Sequence, residues 1–218
     1  MIELLGQPLT AALLGGLGGV LLGLAARLGR FCTMGAIEDL LYGGSSHRMR
    51  MWGLAIGVAM LGSFTLGGFG LINIDRAFHL TIAFSWAPAI FGGLIFGYGM
   101  ALAGTCGFGA LARLGGGDLR AFVIVLVMGL TAFAVLSGPL APARVFLFPR
   151  QLNTGPPDGI AHALSALTGG SVAMIGVAVG MVICALMLSA RSFCRDFRMV
   201  FWSLVAGLAI VSGWAGTA

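Results

Sequence analysis

Apolar positions in this chain come in long unbroken blocks, not in the alternations of a half-buried strand or the three-to-four spacing of a surface helix. Five blocks carry almost no charge: Leu9–Ala26, Met51–Ile72, Ala121–Ala143, Ala163–Ala190 and Met199–Ala218. Each has the roughly 18 to 25 residues that a membrane-spanning helix needs. A sixth block, Leu80–Ala112, is too long for one span. At about 1.5 Å per residue it would extend near 50 Å, against a hydrocarbon core of about 30 Å. It therefore has to break, and Pro88, Gly104, Gly107 and Gly109 are the places where it can. The pattern predicts an all-α polytopic membrane protein with about six spanning helices and short polar loops.

Composition supports the same class. Apolar residues make up 59% and charged residues 9% of the 218 positions, and the mean hydropathy is +1.04. A soluble domain carries about 25% charged residues. Glu3 stands where a signal peptide would carry positive charge, and no cleavage pattern follows the first block, so no signal peptide is expected. The net charge of +5 comes from arginine alone. Nine arginines (27, 30, 48, 50, 113, 120, 191, 195 and 198) fall in the first, third and fifth loops, against three (76, 144 and 150) in the second and fourth. That bias places the odd loops in the cytoplasm and the N-terminus outside, and it removes the reason to read the charge as nucleic-acid binding.

The breaks carry the chemistry. Gly23–Ile37 (GLAARLGRFCTMGAI) and Gly97–Leu111 (GYGMALAGTCGFGAL) share Cys-x-(Met/Phe)-Gly-Ala-(Ile/Leu), centred on Cys32 and Cys106. This suggests an internal repeat within a single transmembrane domain. Unit one runs about 9–72 and unit two about 86–140, and two further helices fill 163–218. Interrupted helices at matching positions are the best sequence pointer to a transport site. A break frees backbone N–H groups, and Arg27, Arg30 and Arg113 lie beside the two cysteines, so each break is expected to receive an anion. Thr33, Thr105, Gly104 and Gly107 flank the cysteines and complete the expected substrate-binding set with Arg113. Arg113 and Arg120 bracket a glycine-rich turn.

Other residues have structural readings. Cys184 lies inside an uninterrupted block and reads as a small packing residue, and Cys194 as a loop thiol between arginines. Glu38 and Asp39 are expected to cap a helix or pair with Arg48 or Arg50. Pairs of glycines four apart, at 15/19/23, 53/57, 93/97 and 176/180, predict close helix approach. The connector 73–85 is expected near the interface, and Pro142, Pro149, Pro156 and Pro157 argue against regular helix over 141–162. His47, His79 and His162 have no metal-ligand spacing, no CxxC occurs, and neither a metal nor a cofactor is expected.

The segments GRFCTMGAIED and GLIFGYGMALAGTCGFGALARLGGGDLR resemble the first two cysteine motifs of the YeeE/YedE family of bacterial inner-membrane sulfur transporters, over about Gly15–Gly129. FRMVFWSLVAGLAIVSGW looks like a segment near the middle of family members. The resemblance implies a multi-pass protein of the bacterial inner membrane with short segments dipping toward its centre. It also implies that Cys32 and Cys106 are the first two of three cysteines that hand thiosulfate along. The family's third cysteine belongs to a Gly-Cys-x-Ile-Gly-type motif that is not found here, and neither Cys184 nor Cys194 has that context. The chain is accordingly expected to be part of a longer protein, to pair with a second membrane subunit or with itself, or to work with two cysteines.

The resulting expectation is uptake of a small sulfur anion, thiosulfate first, by relay along pore-lining cysteines and not by an enzymatic step. A neutral thiol donates a weak hydrogen bond to a soft sulfur, and weak sites in series permit release. Two alternatives stand beside it. One is a membrane thiol/disulfide protein, which requires the two cysteines within disulfide reach. The other is a half-transporter that acts only with a second chain. No P-loop motif marks energy coupling, and Glu38 and Asp39 are the only carboxylates near the breaks.

Overall fold

The computed structural model describes residues 7–74, 80, 85–148 and 159–217. Among them every regular element is helical: α1 (Gln7–Leu28), α2 (Thr33–Leu41), α3 (His47–Gly68), α4 (Trp86–Ala103), α5 (Gly107–Leu114), α6 (Leu119–Leu136), α7 (Ala141–Leu147), α8 (Ile160–Thr168), α9 (Val172–Leu188), α10 (Arg191–Arg195) and α11 (Phe197–Thr217). Five stretches are long and apolar enough to cross a membrane: Ala11–Leu41, His47–Gly68, Trp86–Leu114, Leu119–Leu136 and Phe197–Gly216. Two of them are interrupted, at the turn between α1 and α2 and at that between α4 and α5. The expected block Leu80–Ala112 breaks at Gly104, which ends α4 with φ +62°. Pro88 does not break it. It lies in the first turn of α4, where a missing N–H costs nothing.

Two expectations need correction. Ala163–Ala190 is not one straight span: α8 and α9 meet at 116°, the geometry of a broken span or a re-entrant loop, so the described residues hold five spans, or six if this pair is counted as one. The bend sits at Gly169, whose φ of +70° closes α8, and Ser171 then caps α9 by accepting a hydrogen bond from the Met174 N–H at 3.2 Å. The stretch 141–162 does contain a short helix, α7, because Pro142 falls in its first turn. Pro149, Pro156, Pro157, His79 and most of the 73–85 connector lie outside the described residues.

The packed centre is α3. Met51, Leu54 and Ala55 are buried against Ala25 of α1, Phe31, Phe193 of α10 and Ala206 of α11. Helix α3 lies between α9 and α11, and α11 continues the layer onto α1. Lipid tails are as apolar as leucine, so close backbone approach and van der Waals contact must hold such helices together. The glycine pairs of α3 and α9 supply that approach. A Cβ on Gly57 would meet the Gly180 carbonyl oxygen at 3.2 Å and the Cys184 Sγ at 2.6 Å, and one on Gly180 would meet the Gly57 carbonyl oxygen at 3.1 Å. Cys184 is thus a packing residue between α3 and α9. The other two expected pairs face open space: a Cβ on Gly15, Gly19, Gly23, Gly93 or Gly97 would touch nothing within 4 Å. Helix α1 approaches α11 instead through Gly18, against the Ala209 carbonyl and Ser212.

Three arginines hold helix ends, among them Arg144, which donates to the Val135 carbonyl in the last turn of α6 at 3.1 Å. Arg50 donates to the carbonyls of Leu186 and Met187 at 3.0 Å each, closing the C-terminus of α9. Arg198 donates to the Leu28 carbonyl at the end of α1. All three place positive charge where helix carbonyls have lost their partners. Cys194 Sγ donates to the Leu188 carbonyl at 3.0 Å.

Candidate functional site

Cys32 and Cys106 are each the N-cap residue of a short helix. Cys32 takes extended geometry (φ −145°, ψ 127°) and starts α2, and Cys106 (φ −83°, ψ 161°) starts α5. The chain reaches Cys32 through a sharp turn. Gly29 packs against Trp202, where a Cβ would meet the side-chain Cβ and Cγ at 2.7 Å, and Arg30 then adopts a left-handed φ of +55°. Arginine rarely adopts that backbone without compensation from its surroundings. The buried Phe31 supplies the compensation, with its ring 4.4 Å from that of Trp52 and edge-on to Phe108 at 6.4 Å.

These turns bring the thiols together. Cys32 Sγ and Cys106 Sγ are 3.6 Å apart, within sulfur hydrogen-bond range. Cys106 Sγ also accepts the Gly109 N–H at 3.2 Å, and the first-turn amides of Thr33 and Met34 turn toward the same sulfur. Two helix N-termini therefore converge on one spot, which concentrates unpaired N–H groups and partial positive charge there. Cys106 is 3% exposed, whereas Cys32 is only half-buried and forms part of a cavity wall.

That cavity has a volume of about 290 Å³. Arg27, Arg30, Arg48 and Arg113 line it, with Glu38 as the one carboxylate of the wall among the described residues. Arg27 and Arg113 lie in the last turns of α1 and α5, Arg48 in the first turn of α3, and Arg30 in the turn after α1. Arg48 also pairs with Asp39 at 3.1 Å, as one expected pairing had it. Thr105 and Gly104 are part of the wall. The Thr105 hydroxyl donates to the Cys106 carbonyl at 3.3 Å, which fixes the break. Thr33 and Gly107 are not in the wall. Thr33 opens α2, and Gly107 faces α6, where a Cβ would meet Met128 Sδ at 3.1 Å. Arg120 is not in the wall either, and its backbone N–H is taken by the Asp118 cap of α6 at 2.9 Å.

The sequence motifs did not single out Gly109 and Arg48 as site residues. A Cβ on Gly109 would sit 2.9 Å from Thr105 Oγ1 and 3.4 and 3.5 Å from the two sulfurs, so this glycine keeps the space at the thiols open. Arg48 lies directly over Gly35, and Arg27 over Gly116, so both guanidinium groups are seated on bare backbone. Glycine at those two positions was the available signal. No group of three or more His, Cys, Asp or Glu side chains arranged to hold a metal occurs among the described residues. Four cations, two thiols and convergent amides supply the kinds of donor that can hold a small anion.

Residues 28–215 match the sulphur transport family. The chain is 33% identical over 123 residues to the thiosulfate transporter TsuA of Escherichia coli, covering 56% of this chain and 33% of that protein. It is 31% identical over 120 residues to the thiosulfate transporter TsuA of Spirochaeta thermophila, covering 55% and 35%. It is 29% identical over 147 residues to the probable transporter YedE of Salmonella typhimurium, covering 65% and 35%. The matched segments thus span about a third of the length of these curated relatives. With its apolar helices and both cysteine motifs in place, this chain belongs to the sulphur transport family of YeeE/YedE membrane proteins.

Proposed function

We propose that the chain conducts a small sulfur-containing dianion, thiosulfate first, across the bacterial inner membrane, and that Cys32 and Cys106 hand it on. The observation that carries this reading is the 3.6 Å thiol pair at the floor of an arginine-lined cavity. A dianion entering a membrane protein must exchange its water for other donors, and desolvating it without them is prohibitively costly. The arginines take the oxygens, whose charge and geometry suit guanidinium forks. The soft terminal sulfur is left for the thiols, which donate weakly and hold it weakly. Two weak sites 3.6 Å apart allow transfer without a deep trap, as conduction requires. Cys32, at the cavity, receives first, and Cys106, behind it, receives second.

The test is growth on thiosulfate of a bacterial strain that lacks its own sulfate and thiosulfate uptake. The chain should support growth, and Cys32→Ala and Cys106→Ala, confirmed in the membrane, should not. Normal growth with both variants would sink the relay.

A second reading is favoured by α4. It has no buried residue, and Ile90, Phe91, Leu94 and Ile95 are all exposed. In this reading the chain works within a larger assembly, with a second membrane subunit or a second copy of itself on α4. A single copy per particle in native mass spectra of the active protein would remove it.

A further inference from the structure

Cys32 forms part of the cavity wall and Cys106 does not, yet their sulfurs are 3.6 Å apart on two separate helix caps. A half-buried thiol on a cavity wall with a second thiol held directly behind it is the arrangement of an attacking and a resolving cysteine. The four arginines decide which oxidants reach it. Arg27, Arg30, Arg48 and Arg113 favour dianions that end in sulfonate groups. The electrophile that fits is a polythionate, which carries a sulfonate at each end and a reducible sulfur–sulfur bond between them.

We propose that the Cys32–Cys106 pair is a redox-modification site for polythionates, and that its disulfide closes the conduit. The closing part rests on the transport reading above. The chemistry balances in two displacements, written for tetrathionate. Cys32 Sγ attacks one of the two central sulfurs. The central S–S bond breaks, one thiosulfate leaves with the electron pair, the thiol proton goes to water, and Cys32–S–S–SO3⁻ remains. Cys106 Sγ then attacks Cys32 Sγ, a second thiosulfate leaves, and a second proton is released. Two thiols have been oxidised to one disulfide, and one tetrathionate has been reduced to two thiosulfates. The second displacement is intramolecular, so a thiol already in contact outcompetes any thiol in solution. The disulfide removes both S–H donors and ties the start of α2 to the start of α5 at the cavity floor. A thiol reductant reverses it. The carrier is then shut when its substrate class is oxidised and open when it is reduced.

The experiment uses the full chain carrying Cys184→Ser and Cys194→Ser, so that the pair supplies the only thiols, reconstituted in vesicles. Tetrathionate is added, and two readouts follow: mass mapping of the cysteine peptides under non-reducing conditions, and uptake of radiolabelled thiosulfate. The expected result is a 32–106 cross-link, loss of both free thiols, uptake reduced to that of empty vesicles, and recovery of both with dithiothreitol. In the Cys106→Ser variant the Cys32–S–S–SO3⁻ adduct should persist, and in the Cys32→Ser variant Cys106 should stay unmodified until the protein is unfolded. Thiols that stay free overturn the site, and so does modification of Cys106 in folded Cys32→Ser. A cross-link that leaves uptake unchanged overturns the closure. Vesicles that take up no thiosulfate before treatment overturn the transport reading instead, while the peptide masses still decide the reaction at the thiols.

Discussion

Cys32 Sγ and Cys106 Sγ lie 3.6 Å apart although 74 positions separate them. Each caps a short helix, and the two caps meet because α5 packs against α1, the helix that leads to Cys32. The contact joins two breaks into one site, with the Gly109 N–H donating to the Cys106 sulfur and the start of α2 facing it. Its consequences can be tested at residues that do not themselves carry the thiols.

Gly109 is the most sensitive of these. Its missing side chain leaves the space between Thr105 and the two sulfurs. Gly109→Ala would place a methyl group 2.9 Å from the Thr105 hydroxyl and within 3.5 Å of both sulfurs, so it should narrow the passage at the thiols. Thiosulfate uptake is expected to fall by about tenfold or more, since small misplacements at a binding constellation have effects of that order. Thr105→Ala added to Gly109→Ala should recover part of it. Uptake rates of the single and double variants in vesicles check this, and an unchanged Gly109→Ala rate would contradict it.

Arg30 combines a left-handed backbone with a place in the cavity wall. Arg30→Gly should relieve backbone strain while removing one charge. The relief is of the order of 1 kcal/mol. The expected outcome is unchanged or raised thermal stability together with a higher KM for thiosulfate. Because a cationic cavity concentrates anions through a screened field, the KM difference between Arg30→Gly and the parent chain should shrink as salt rises. Arg30→Ala keeps the strained backbone and should show the KM change without the stability gain. Melting curves and uptake at two ionic strengths separate the two contributions.

The glycines make a contrasting pair. Gly57 touches the Gly180 backbone across the α3–α9 contact, whereas Gly97 on α4 faces open space. Gly57→Ala should force those two helices apart, at a cost of about 1 to 3 kcal/mol. Gly97→Ala should not destabilise the isolated chain. Thermal unfolding in detergent checks both. A loss of uptake in Gly97→Ala without loss of stability would mark α4 as a contact surface for a further membrane chain.

The class of the protein and the identity of its two cysteine breaks were legible in the sequence because both are local. A run of apolar residues longer than the membrane is thick has to be interrupted, and the glycines at 104, 107 and 109 beside Cys106 mark where. Cys32 and Cys106 are singled out because they share one motif at the two breaks, with Arg27 and Arg30 before the first and Arg113 after the second. What the tertiary structure decided is how distant segments meet. Of the twelve arginines, Arg50, Arg144 and Arg198 hold helix ends while Arg27, Arg30, Arg48 and Arg113 form one cavity. Nothing in the sequence around an arginine separates those uses, because which carbonyls or cavities come within reach depends on helix packing. The glycine pairs show the same limit: four look alike as sequence, but only those at 53/57 and 176/180 find a partner backbone. The 116° bend between α8 and α9 escaped the apolar pattern because glycines such as Gly169 and Gly170 are also frequent inside membrane helices. Local chemistry determined what the breaks contain, and packing determined that they face each other.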